Sequence, residues 1–137
     1  MKIVSACLAG INCAYDGQNR INQKVVELVS RGEAIPVCPE QLGGLPTPRV
    51  PSERSGPIVI TKKGKDVTDN FQRGAQEALK IVKLVDCKQA ILKSRSPSCG
   101  YGQIYDGSFS NTLIKGNGVF TDILLERGVE VITEENY

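Results

Sequence analysis

The chain has 137 residues, enough for one domain, and 17 basic against 15 acidic side chains mixed along its length, for a net charge of +2. That balance supplies no basic arm or acidic tail, and with seven aromatic residues and no Trp the stacking platforms of single-strand binders are thinly provided. The absence of His removes Ser/His and Cys/His nucleophile pairs, His-bearing zinc sites and haem attachment, leaving chemistry to Cys, Ser, carboxylates and amines.

In chain order, residues 2–6 are an apolar strand that stops at Cys7, and residues 8–20 form a turn-rich loop carrying Cys13. Asn22 is an N-cap for a helix whose apolar face is Val25, Val26, Leu28 and Val29, ending near Gly32. Residues 34–37 are a second strand, broken by Cys38-Pro39. The segment 40–57 holds Gly43, Gly44, Gly56 and Pro46, Pro48, Pro51, Pro57, a density that predicts a long ordered loop without regular structure.

Residues 58–61 and 66–68, joined by Lys62-Lys63-Gly64-Lys65, read as a small β-hairpin insertion. Thr68 or Asp69 then caps the longest helix, which runs to about Val85 with Phe71, Ala75, Ala78, Leu79 and Val82 at helical spacing. A third strand over 89–92 ends in Ser94-Arg95-Ser96-Pro97-Ser98-Cys99-Gly100. A Gly- and Tyr-rich loop follows, then a helix over 119–127 stopped by Gly128, and a last strand over 129–133. Alternation of strands and helices predicts a single-domain, Rossmann-like α/β fold over residues 1–137, an open and mainly parallel sheet with helices on both faces.

Ligand sites in such sheets lie beyond the carboxyl ends of the strands. Cys7, Cys38 and Cys99 each follow a strand, so their loops leave the same edge and can meet. Cys87 precedes its strand, at the opposite edge, and reads as a small buried apolar side chain. Cys13 shares the first loop with Cys7 and points either into the site or into the core. Thiolates from three loops make a sulfur-only site suited to an iron-sulfur cluster or zinc, or else remain unliganded. Closed structural zinc would ask for a fourth ligand and paired C-x-x-C spacing, which the chain lacks. Glu40 and the serines Ser94, Ser96 and Ser98 flank the same opening, where a carboxylate and hydroxyls can position a water.

The odd number of cysteines in a chain that needs no disulfide staple predicts a reducing, cytoplasmic setting. Val4-Ser5-Ala6-Cys7 looks like a lipoprotein cleavage box, but three preceding residues do not make a signal, and no apolar stretch reaches the roughly 20 residues of a membrane span. A thiol redox protein would favour a C-x-x-C pair, which is missing. A non-catalytic metal-binding or RNA-interaction module remains the alternative to an enzyme.

Cys7-Leu8-Ala9-Gly10, Tyr15-Asp16-Gly17, Cys38-Pro39-Glu40, Gly43-Gly44-Leu45-Pro46 with Pro48-Arg49, Asp66-Val67-Thr68, Ser96-Pro97-Ser98-Cys99-Gly100 and Ile104-Tyr105-Asp106-Gly107 together resemble the TudS-like family of thiouracil desulfidases, over nearly the whole chain. The resemblance implies a 4Fe-4S cluster on Cys7, Cys38 and Cys99 whose open iron takes the sulfur of a thiolated pyrimidine while water replaces it at carbon, with no net redox change. It implies Glu40 as acid/base with a serine partner, Ser96 in preference to Ser98, and Ser94 and Ser98 near the substrate. The expected partner is a small thiolated base or nucleoside, with no membrane and a monomer or small homo-oligomer; the balanced charge disfavours nucleic acid without excluding it.

Overall fold

The computed structural model describes all 137 residues. Four parallel strands form the central sheet: β1 (Lys2–Ser5), β2 (Ala34–Val37), β5 (Gln89–Leu92) and β8 (Glu130–Thr133), in the order β2-β1-β5-β8. The register pairs Ile3 with Ile35 on one side and with Ala90 on the other, and Ile91 with Ile132. From β1 the chain crosses to one side to form β2, then returns to the other side as β5. The switch point therefore falls between β1 and β5, where loops diverge and a crevice opens beyond the strand ends.

Alternate residues of these strands face two cores, as strand geometry requires. Val4 and Ile91 pack with Val25 and Leu28 of α1 (Gln23–Ser30) on one face. Ile3, Ala90 and Leu92 face α3 (Thr68–Leu84) and α4 (Val119–Glu126) on the other, with Phe71 and Phe120 fully buried. The expectation of an open parallel sheet with helices on both faces is borne out. No helix is long and apolar enough to cross a membrane.

Several local expectations are corrected. The segment 40–57 is not structureless: Pro39 opens a one-turn helix, α2 (Pro39–Leu42), because proline at the first helical position loses no hydrogen bond, and Ser52–Ser55 forms strand β3. The hairpin partner of β4 (Ile58–Thr61) is therefore β3, turning through Gly56-Pro57, while residues 66–68 contribute only an isolated bridge from Asp66 to Ile60. Helix α3 has Val67 at its N-cap with no side-chain cap, since the Thr68 hydroxyl is occupied by Val59 of β4. A second hairpin, β6 (Gln103–Tyr105) with β7 (Leu113–Lys115), lies in what the sequence presents as loop. Its strands have three residues each, too short to show a period.

Candidate active site

Cys7 sits on a short 3-10 turn (Ala6–Ala9) directly after β1, closed by Gly10 in the left-handed region at φ 94°. Its carbonyl accepts from the amides of Gly10 and Arg20, which folds the loop 11–20 back over it. Cys38 is the N-cap residue of α2, in the extended conformation at φ −123°. Cys99 is fixed by α4: the first-turn amides of Val119 and Phe120 donate to the carbonyls of Pro97 and Ser98 at 2.9 Å each, and the Thr121 hydroxyl donates to the Cys99 carbonyl at 2.9 Å. Those amides are the donors that every helix leaves unpaired at its start, so the 97–99 loop serves as the cap of α4.

The three cysteines and Cys13 line one cavity of about 460 Å³ at the switch-point edge of the sheet. Glu40, Ser94 and Ser96 line it too, and Arg20, Arg49, Lys93 and Arg95 supply positive charge. Cys87 lies elsewhere, in the core beneath α3, with its thiol donating to the Gln89 carbonyl at 3.2 Å. Cys13 is buried at 2 % exposure and sits beside Cys38 on the cavity wall, so of its two expected directions it takes the one toward the site.

Electrostatics separates these thiols. Burial pushes Cys7 up to about 11, and the neighbouring Cys38 adds to the rise. Burial raises Cys99 further, against a hydrogen bond with Ser5. Cys38 goes the other way, down to about 7, because the Cys13 thiol donates to it, and Cys13 in turn is held protonated. The Cys38 sulfur also lies 3.8 Å from the Cys13 carbonyl oxygen. Cys38 is thus the thiolate most easily formed here.

Glu40 keeps 17 % of its side chain exposed and pairs with Arg49, Nε to Oε1 at 3.1 Å. Burial lifts its carboxyl above the usual carboxylate range, and Arg49 opposes the rise. Arg49 also donates to the Thr47 hydroxyl and, at 2.9 Å, to the Cys13 carbonyl, so one guanidinium ties the loop of Glu40 to the loop of Cys13. The Ser96 hydroxyl oxygen accepts from the amides of Ser98 and Cys99 at 3.1 and 3.0 Å. Both of its lone pairs are then engaged and its proton is free, which makes Ser96 a donor toward the cavity.

The other two serines are differently placed. Ser94 reaches the cavity, but its hydroxyl is bonded to Glu134 at 2.9 Å and to Lys93 at 3.0 Å. Ser98 does not line the cavity: it is 1 % exposed, its hydroxyl has no partner, and Gly118 packs against its backbone. Of the three serines, Ser98 is the one that the structure does not bring to the cavity.

Arg49, Lys93 and Glu134 were missed from the sequence. Glu134 is the first residue after β8 and accepts from Lys93 Nζ and the Ser94 amide. The strand-end rule that located the cysteines also locates Glu134, had it been applied to carboxylates.

No group of three or more Cys, Asp or Glu side chains is drawn in tightly enough to hold a single metal ion. A multi-iron cluster takes each cysteine on a different iron, so its ligands stand farther apart than those of one ion. The all-sulfur donor set, the three separate loops and the room between them fit such a cluster and not a mononuclear zinc site.

The model of the family described as 2-thiouracil desulfurase matches residues 3–136. The chain is 40 % identical over 144 aligned residues to the uncharacterized protein YbbK of Bacillus subtilis (strain 168), covering 98 % of this chain and 95 % of that one. The solved structure of the [4Fe-4S]-dependent thiouracil desulfidase TudS superposes with a TM-score of 0.93 at 44 % identity, covering 98 % of this chain and 90 % of the other.

Proposed function

From the premise that this chain belongs to the 2-thiouracil desulfurase family, we propose that it is a 4Fe-4S-dependent enzyme that exchanges the C=S of a thiolated pyrimidine for C=O with water, releasing hydrosulfide. The observation that carries the reading is the convergence of Cys7, Cys38 and Cys99 on one cavity with Glu40 and Ser96 in its wall. Cys7, Cys38 and Cys99 would hold the cluster. When bound, it supplies an iron site open to a soft thiocarbonyl sulfur, which leaves the adjacent carbon electron-poor.

Water adds oxygen to that carbon, the carbon–sulfur bond breaks, and of the water's two protons one leaves on hydrosulfide and the other is released to solvent, the ring nitrogens ending as they began, with no change of oxidation state. Glu40 takes a proton from the water and returns one, a task suited to a carboxyl lifted by burial but kept near Arg49. Ser96, with only a proton to offer, donates to the water or the substrate and orients it. Arg20, Arg49 and Lys93 line the same cavity, but each has an acidic partner, so they offset only part of the negative charge of three thiolates.

Anaerobic reconstitution with iron and sulfide, an iron count, and assay of 2-thiouracil for hydrosulfide and uracil test the proposal. Glu40→Gln keeps iron and loses about 10²–10⁴-fold in turnover, the usual weight of acid–base catalysis. Cys99→Ala loses both. Fully loaded parent protein that acts on no thiolated base overturns the reading.

A further inference from the structure

Of the three phenylalanines, Phe71 and Phe120 belong to the core, and Phe109 belongs to neither apolar cluster. Phe109 instead lines the cavity, half-buried, from the loop that joins β6 to β7. Its backbone lies in the left-handed region at φ 56°, a conformation that β-carbon sterics disfavour for an aromatic residue. Core packing does not account for it.

A carboxylate does. Glu53 Oε1, on β3, accepts from the amides of Gly107 and Phe109 at 3.0 and 3.1 Å, clamping the loop across its neck. Asp106 accepts from the Ser108 amide at 2.9 Å, and a chain of hydroxyls runs through Ser110 to Thr112. Gly107 lies so close to Ser55 that a Cβ there would sit 2.8 Å from the Ser55 Cβ. The loop is thus fixed at several points, and its one apolar side chain of size lines the cavity that the cysteines and Glu40 also line. Tyr105, at the base of the same hairpin, adds a second ring to that wall.

We propose that Phe109 is the face on which the ring of the substrate stacks, with Glu53 as the positioning residue that holds it there. The inference rests on the desulfurase reading and adds to it the group that selects the ring, as distinct from the groups that handle sulfur and water. Every heterocyclic base has a π-face, so such a surface binds substrate and oxo-product alike.

The test compares iron-loaded parent, Phe109→Leu, Phe109→Tyr and Glu53→Ala proteins, under anaerobic conditions, for kcat and KM with 2-thiouracil and for calorimetric binding of uracil. Phe109→Leu raises KM for 2-thiouracil and the dissociation constant of uracil together, by roughly 5- to 100-fold, the usual weight of one base–aromatic stack. Its kcat changes by less than about threefold, as loss of uniform binding requires. Phe109→Tyr, which restores a ring, recovers most of that loss, and Glu53→Ala moves KM in the same direction as Phe109→Leu. Should Phe109→Leu fail to fold or to take up iron, Phe109→Tyr and Glu53→Ala decide. An active parent whose variants keep both constants within about twofold, or lose kcat alone, overturns the stacking role and leaves the desulfurase reading standing. A loaded parent that releases no hydrosulfide from 2-thiouracil overturns both.

Discussion

Gly74→Ala tests how the active-site wall is held. Gly74 lies inside α3, where exchanging glycine for alanine ordinarily stabilises a helix by about 0.5–1 kcal/mol. Here a Cβ would stand 1.8 Å from the Pro39 carbonyl oxygen, 2.8 Å from its carbon and 2.9 Å from the Gly43 amide nitrogen, all of them backbone atoms of α2 or its cap. Ordinary contact begins at 3.4 Å, so the two helices must separate by roughly 1.6 Å (3.4 − 1.8). Overpacking of this kind costs about 1–3 kcal/mol or more, which outweighs the propensity gain and leaves a net loss of about 1–2 kcal/mol. At this chain length that lowers the thermal midpoint by about 3–8 °C. Because Pro39 lies between Cys38 and Glu40, the shift also moves both, and a displacement of about 1 Å at a reacting group costs roughly 10²-fold in rate. Thermal unfolding and the hydrosulfide assay on matched, iron-loaded proteins give the two numbers. A variant with a raised midpoint and the parent's rate would refute the argument that α2 is seated by contact with Gly74.

Cys87→Ala keeps the parent's iron content and loses about 1 kcal/mol from the trimmed core contact; loss of iron would place Cys87 in the site after all. Glu134 supplies a pH signature. Burial raises its carboxyl, but bonds from Lys93 and from the amide and hydroxyl of Ser94 outweigh that and hold it below the usual range. A depressed carboxyl contributes stability that is fully present above its unfolded value of about 4.3 and disappears as pH falls through the folded value. The urea-unfolding difference between parent and Glu134→Gln therefore stays constant near neutrality and shrinks below about pH 4; a difference that grows on acidification would contradict the pairing.

What the sequence made legible follows from which forces act locally. Strands of four residues bounded by Cys7, Cys38-Pro39 and Lys93 stand out because each is buried on both faces and ends at a turn residue. Once they are parallel, topology alone brings three distant cysteines to one edge. Strand β3, Ser-Glu-Arg-Ser, carries no apolar signal, since it is held by pairing with β4 and by Glu53 and Arg54 reaching other elements. Serines flanking Cys99 look alike in sequence; only the cap of α4 turns Ser96 toward the cavity and Ser98 away from it.

The cysteines also show why the site needs its surroundings. The loops of Cys38 and Cys99 are seated by backbone contact: Pro39 against Gly74, and Ser98 against Gly118, whose Cβ would lie 2.2 Å from the Ser98 carbonyl carbon. Side-chain packing tolerates small volume changes, whereas a backbone-on-backbone seat does not, so these contacts set the cysteine positions before any cofactor binds. Burial then favours neutral thiols at Cys7 and Cys99, which lets the sulfurs sit near one another without mutual repulsion. Ionising all three requires positive charge in the cavity, more than Arg20, Arg49 and Lys93 leave over, since each already has an acidic partner in Asp16, Glu40 and Glu134. On the proposed ligand set iron would supply that charge, so occupation of the site and deprotonation of Cys7, Cys38 and Cys99 would be one coupled event, and the expected outcome is an affinity for iron that falls as pH falls.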